Sequence, residues 1–289
     1  MEQPKMTLGA IGVFDSGFGG LTILRELRHR LPEYDFIYLG DNARAPYGSH
    51  SFDTIYRYTR EAVAHLFNLG CPLVILACNT ASAKALRSLQ QKDLPISADP
   101  TRRILGVIRP TVESIAEYTG NGHIGIVGTN GTIASNSYGI EIANLYPEAC
   151  VSQHACPMWV PLVENNELDE NVGTQYFIRR DLERLLEKDP EIDTLLLGCT
   201  HYPLLLPRIK EALPQGISVV SQGAIVASSL RDYLFRHPEM DVRLSKGGSV
   251  RYLTSAEKEE FLSLASAFLG EDINEESVVH TRLSPCEGL

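Results

Sequence analysis

Two cysteines stand in nearly the same setting. Pro72-Leu73-Val74-Ile75-Leu76-Ala77 leads into Cys78-Asn79-Thr80, and Thr194-Leu195-Leu196-Leu197-Gly198 leads into Cys199-Thr200-His201. Each run is short, branched and apolar enough for a buried strand, and helix-like stretches follow over 81–90 and 203–213. Both thiols are therefore expected at the carboxyl ends of parallel strands, the edge where open α/β sheets bind ligands. Two thiols brought to one cleft could form a redox pair, ligate a metal, or transfer protons on opposite faces of one carbon. A lone buried cysteine at a strand end is usually a small core hydrophobe. Here the pair argues otherwise, because each thiol is followed by polar Asn-Thr or Thr-His where a core strand would stay apolar. Cys71, Cys150, Cys156 and Cys286 lack such company and read as structural or incidental.

The elements that must position these thiols alternate. Strands are expected over 10–14, 36–39, 104–107, 124–127, 217–220 and 250–254 besides the two cysteine strands, with helices over 20–31, 51–69, 110–118, 132–145, 172–188, 224–235 and 256–269. A polar stretch, 91–103, reads as a linker after which the pattern restarts, and the tail toward Cys286 reads as mobile. Repeated β-α units imply α/β architecture with mainly parallel sheets flanked by helices, and the restart implies two such domains. The 289 residues, 44% of them hydrophobic, suffice for that core. Acidic residues outnumber basic ones, 36 to 26, with no basic run, which argues against nucleic acid as the main ligand. No apolar stretch approaches the roughly 20 residues that span a bilayer, and residues 1–8 lack a signal-peptide core. The default reading is a soluble cytoplasmic protein with no membrane partner. Six cysteines with no C-x-x-C are too sparse for a disulfide scaffold and should be free thiols.

Other strand ends supply polar groups suited to a small zwitterion. Asp15-Ser16-Gly17-Phe18-Gly19-Gly20 opens a helix, so its backbone N–H groups could cradle an anion while Asp15 supplies a carboxylate. It is not a nucleotide fingerprint: G-x-G-x-x-G would need Gly where Thr22 stands. Gly128-Thr129-Asn130-Gly131-Thr132 again joins a strand to a helix and places two hydroxyls beside free N–H groups. The turn-rich 41–48 segment reads as a surface loop, and Glu164 as a solvated carboxylate. His201 could cap a helix, but its place two residues after a strand-end thiol favours proton transfer. Cys78, Cys199, His201 and Asp15 could nominally hold zinc, which stays a minority reading.

Several of these segments, in order along the chain, resemble the signature segments of the glutamate racemases. They are Phe14-Asp15-Ser16-Gly17-Phe18-Gly19-Gly20-Leu21-Thr22, the 41–48 loop, Ala77-Cys78-Asn79-Thr80-Ala81-Ser82-Ala83 and Leu197-Gly198-Cys199-Thr200-His201-Tyr202-Pro203. The match extends to Gly128-Thr129-x-x-Thr132 and to Cys156-Pro157 with Val160-Pro161-Leu162-Val163-Glu164, and covers residues 10 to 235. The resemblance implies a cofactor-independent racemase with no metal, interconverting L- and D-glutamate to supply D-glutamate for peptidoglycan, and hence cell wall and cell shape. It implies that Cys78 and Cys199 are the two acid/base residues, with Asp15 assisting the first and His201 and Glu164 the second. Implied substrate contacts are Ser16, Pro46, Tyr47, Gly48, Asn79, Thr80, Thr129, Thr132 and Thr200. The implied domains are residues 1–102 with 215–289, and 103–214, with the site in the cleft between. A homodimer and regulation by a cell-wall nucleotide precursor occur among such enzymes, and the resemblance leaves both open here. Ser221-Gln222-Gly223 departs from the Asp-Ser-Gly usual in the family. A racemase of aspartate or another amino acid, or a non-catalytic amino-acid-binding protein, are the competing readings.

Overall fold

Short runs without polar alternation are what strands buried on both faces require. The computed structural model describes residues 8–168, 172–286 and 288–289. Its strands are β1 (Ile11–Asp15), β2 (Phe36–Gly40), β3 (Leu73–Leu76), β4 (Arg103–Gly106), β5 (His123–Gly128), β6 (Cys150–Ala155), β7 (Thr194–Gly198), β8 (Ser218–Val220), β9 (Val250–Thr254) and β10 (Val278–His280). They form one sheet in the order β10-β9-β2-β1-β3-β4 and another in the order β6-β5-β7-β8. Every strand pair is parallel. The architecture is the expected α/β one. Arg103–Gly106 pairs with β3 and Ser218–Val220 with β7. Division along the sheets therefore falls after 106 and after 220, one strand later in each case than the expected boundaries after 102 and 214.

Helices cover the sheets through apolar faces. In Phe52–Asn68 the Ser51 hydroxyl accepts the Thr54 N–H as an N-cap, and Ile55, Ala62, Val63, Leu66 and Phe67 are buried at helical spacing. Leu21–Arg30 buries Leu21, Leu24 and Leu27 in the same way, with basic residues in its last turn.

Four expectations change. The helix expected over 132–145 is two, Asn130–Ser135 and Ser137–Leu145, because Asn136 adopts φ 51°, a left-handed conformation that asparagine tolerates better than most residues. The stretch read as a linker begins inside a π-turn, Leu89–Asp93, and continues through a 3₁₀ turn, Leu94–Ile96. The tail read as mobile supplies β10 and reaches back so that the Ala98 N–H donates to the Leu289 carbonyl at 3.4 Å. The 41–48 loop is not a surface loop throughout, since Asp41 and Tyr47 are buried. Among the described residues the cysteines are free, and no helix is long and apolar enough to cross a membrane.

Candidate active site

The carboxyl ends of β1, β3, β5 and β7 carry the segments singled out by sequence. Twelve of the fourteen candidate residues line one small cavity: Ser16, Pro46, Tyr47, Gly48, Cys78, Asn79, Thr80, Thr129, Glu164, Cys199, Thr200 and His201. Asp15 and Thr132 are buried outside its wall. Gly17, Ala45 and Val160 also line it. They offer no reactive side chain and were not named individually, although each lies in a segment singled out by sequence.

Cys78 caps the helix Asn79–Lys84, with its sulfur 3.4 Å from the Ala81 N–H. The Ser16 hydroxyl stands 3.3 Å from the same sulfur. Burial, aided by the Asp15 charge, pushes the Cys78 thiol up to about 12 against the opposing contacts from Ser16 and Ala81. It therefore holds its proton at neutral pH. Asp15 Oδ2 accepts the Gly17 N–H at 2.9 Å. Burial raises the Asp15 carboxyl above its ordinary range, opposed by the His201 charge and the N–H groups of Gly17 and Gly20.

The Cys199 side is built differently. His201 Nδ1 lies 3.9 Å from Cys199 Sγ, and Nε2 lies 3.0 Å from Glu164 Oε1. The ring is wedged edge-on against Phe268, centroids 5.2 Å apart. Burial alone would lower the imidazole. Contacts with Cys199 and Glu164 outweigh it and raise His201 to about 10. One thiol thus sits beside a buried carboxyl and the other beside an imidazolium. Glu164, which sequence alone left as a solvated carboxylate, is the partner that orients this ring.

The sign of the His201 shift sets a stability test. Its folded value lies above the ordinary 6.5, so the folded state holds the proton more tightly and the gain is complete below pH 6.5. As pH rises toward about 10 that gain is lost. The difference in urea unfolding free energy between the parent and His201→Gln should shrink across this window, with a slope of at most about 1.4 kcal/mol per pH unit. A pH-independent difference would rule out a proton held this way.

Hydroxyls from both sheets meet across the cleft. Thr80 Oγ1 lies 2.9 Å from Thr129 Oγ1 and 3.2 Å from Thr132 Oγ1, and Thr129 caps its helix by accepting the Thr132 N–H at 3.2 Å. Thr132 thus reaches the cavity through the other two. Gln222, in the segment that departs from the family pattern, is buried and joins the two halves. Its Oε1 accepts from Asn79 at 2.7 Å, while its Nε2 donates to the Tyr138 hydroxyl at 2.6 Å and to Thr111 at 3.0 Å. Tyr138 in turn donates to Asn79 Oδ1 at 2.6 Å, which closes a ring of satisfied groups. Sequence reasoning assigned Gln222 no role, and its place just after β8 was the available hint.

Known proteins are similar to this chain in sequence and fold. The sequence profile described as Asp/Glu/Hydantoin racemase matches residues 21–230. A glutamate racemase of Ruegeria pomeroyi is 39% identical over 274 residues, covering 91% of this chain and 98% of that protein. The crystal structure of glutamate racemase isoform RacE1 from Bacillus anthracis superposes with a TM-score of 0.84 at 34% identity, over 95% of this chain and 98% of that one. That of Francisella tularensis glutamate racemase, in complex with D-glutamate, does so with a TM-score of 0.83 at 29% identity, again over 95% and 98%. With the profile covering most of the chain and the relatives matched nearly end to end, this chain belongs to the Asp/Glu/Hydantoin racemase family.

Proposed function

We propose that this chain is a glutamate racemase that interconverts L- and D-glutamate by a two-thiol acid/base mechanism, without a cofactor, and supplies D-glutamate for peptidoglycan in the cytoplasm. The observation that carries the reading is the pair of thiols, one from each sheet, lining one cavity, each with its own ionisable neighbours. Relatives similar to it over more than nine-tenths of the chain, at 34–39% identity, are glutamate racemases. The two sheets correspond in this reading to the two domains.

Inverting a stereocentre by proton transfer needs a base on one face of Cα and an acid on the other. In the L to D direction Cys199 takes the proton, with His201 beside its sulfur to hold the thiolate and Glu164 to orient the ring. Cys78, kept protonated by burial, then delivers a proton to the opposite face, with Asp15 assisting. The reverse direction exchanges these roles. The α-proton is far less acidic than a thiol, so the carbanion-like transition state must be stabilised by fixed donors in a cleft that excludes water. Ser16, Asn79, Thr80, Thr129 and Thr200 supply these donors, with Thr132 acting through Thr80 and Thr129. Pro46, Tyr47 and Gly48 close the far wall.

Circular dichroism tests the reaction directly. The signal of L-glutamate should decay to zero on addition of purified protein, with no cofactor and after exhaustive chelation, while L-aspartate should persist far longer. Thiol alkylation should abolish the decay, and glutamate should protect against it. Decay of aspartate at the rate of glutamate would shift the substrate assignment, and no decay of either would leave an amino-acid-binding protein.

A further inference from the structure

Away from the cleft, three side chains of different chemistry converge. His154 lies on the edge strand β6, and Cys156 follows directly after the strand's end, two residues on. The helix Val172–Lys188 packs there and brings in Asp181. One ligand atom from each of the three lies within 4.8 Å of the others, and His154 Nε2 is 3.6 Å from Asp181 Oδ1. Arg180 occupies Oδ1 through Nη2 at 2.7 Å and Nε at 2.9 Å. The second oxygen, Oδ2, is buried and has no hydrogen-bond partner among the described residues. A buried carboxylate oxygen left without a donor is costly, and it is the feature that a bound cation would relieve.

We propose that His154, Cys156 and Asp181 form a binding site for a borderline-soft divalent metal ion of the zinc class, separate from the racemase cleft. The donor set selects the ion: sulfur with nitrogen and one oxygen suits zinc or cobalt(II), whereas magnesium and calcium take oxygen ligands. Ligand atoms around a tetrahedral zinc stand roughly 3.3–3.8 Å apart, from bond lengths of about 2.0–2.3 Å. The observed spread therefore closes with a shift of about an ångström. His154, whose side chain is 16% exposed, can move and opens the path from solvent; Cys156 and Asp181 are fixed in the interior. Binding replaces the Cys156 S–H bond with a sulfur–metal bond and releases one proton to solvent. The fourth position falls to water.

The site is close to the chemistry without being part of it. Cys156 directly precedes the turn into the helix Trp159–Glu164, and its carbonyl accepts the Tyr202 hydroxyl at 3.1 Å. An ion there would brace β6 against the Val172–Lys188 helix at the root of the segment that carries Glu164.

Cobalt(II) is the probe. Titrated into the chelator-treated full chain, it should give a near-ultraviolet sulfur-to-cobalt charge-transfer band that saturates at one equivalent and bleaches when zinc is added. The band should survive in the Cys78→Ser/Cys199→Ser double variant and vanish in Cys156→Ser. Because Cys156→Ser alters the interior, His154→Gln provides a second arm. It should keep its circular dichroism and racemase activity while its cobalt affinity falls at least about 10-fold. The proposal is overturned if the parent gives no sulfur-to-cobalt band, if the band disappears in the double variant but persists in Cys156→Ser, or if His154→Gln binds cobalt as tightly as the parent.

Discussion

Cys78→Ala and Cys199→Ala are each expected to lose racemisation by about 10³-fold or more, within the 10²–10⁴ range of a positioned acid or base, while separating two half-reactions that the parent joins. Because the enantiomers have equal free energy, even a crippled variant must keep the same kcat/KM in both directions, so racemisation cannot reveal which thiol serves which face. Abstraction without reprotonation escapes that constraint. An amino acid of glutamate shape with a β leaving group needs one deprotonation to eliminate. Cys78→Ala should still process the L-configured analogue and lose the D-configured one, and Cys199→Ala should show the reverse. His201→Asn should impair elimination from the L analogue more, and Asp15→Asn from the D analogue. If both cysteine variants lose elimination from the same enantiomer, the opposed arrangement of the two thiols is wrong.

The second large effect is expected at a residue with no reactive group. A Cβ on Gly19 would stand 2.2 Å from Thr200 Oγ1 and 2.4 Å from His201 Nδ1. Neither neighbour can yield freely. The Thr200 carbonyl accepts the Thr22 hydroxyl at 3.1 Å, and His201 is held between Glu164 and Phe268. Gly19→Ala should therefore displace the imidazole from Cys199 by an appreciable fraction of an ångström, enough to lower kcat about 10²-fold. Urea unfolding should stay cooperative, which separates misplacement from collapse. A kcat near the parental value would mean that the approach of the 16–20 loop to His201 is not a catalytic constraint.

What the sequence disclosed and what it withheld divide along physical lines. The strands ending at Cys78 and Cys199 were legible because strands buried on both faces leave unbroken apolar runs, and the polar residues after each cysteine break that pattern where a cleft begins. β6 was not legible. Its residues, Cys-Val-Ser-Gln-His-Ala, lie on a sheet edge and none is fully buried, so no apolar signal marks it. The Trp159–Glu164 helix is too short for periodicity to show. Sheet membership of 103–106 and 218–220 was hidden for another reason. A β-α repeat states that strands alternate with helices, but not which neighbour each strand will choose. In the site, the polar segments at strand ends suggested a small zwitterion, whereas the roles proposed for Glu164 and Tyr47 rest on family resemblance. The ring joining Asn79, Gln222 and Tyr138 depends on residues 59 and 143 positions from Asn79, beyond the reach of any local rule.

The strand order carries a consequence for how the chain is made. The larger sheet places β2, synthesised by residue 40, against β9, which is finished only at residue 254. At about 5–20 residues per second, that edge emerges from the ribosome roughly 10–40 s before its partner exists. Phe36–Gly40, buried on both faces in the finished fold, is meanwhile an open apolar edge of the sort that recruits other chains. The smaller sheet lies uninterrupted between residues 123 and 220 and meets no such delay. The half of the molecule that begins first is thus completed last, and the nascent protein's greatest need for chaperone protection should fall on its first forty residues.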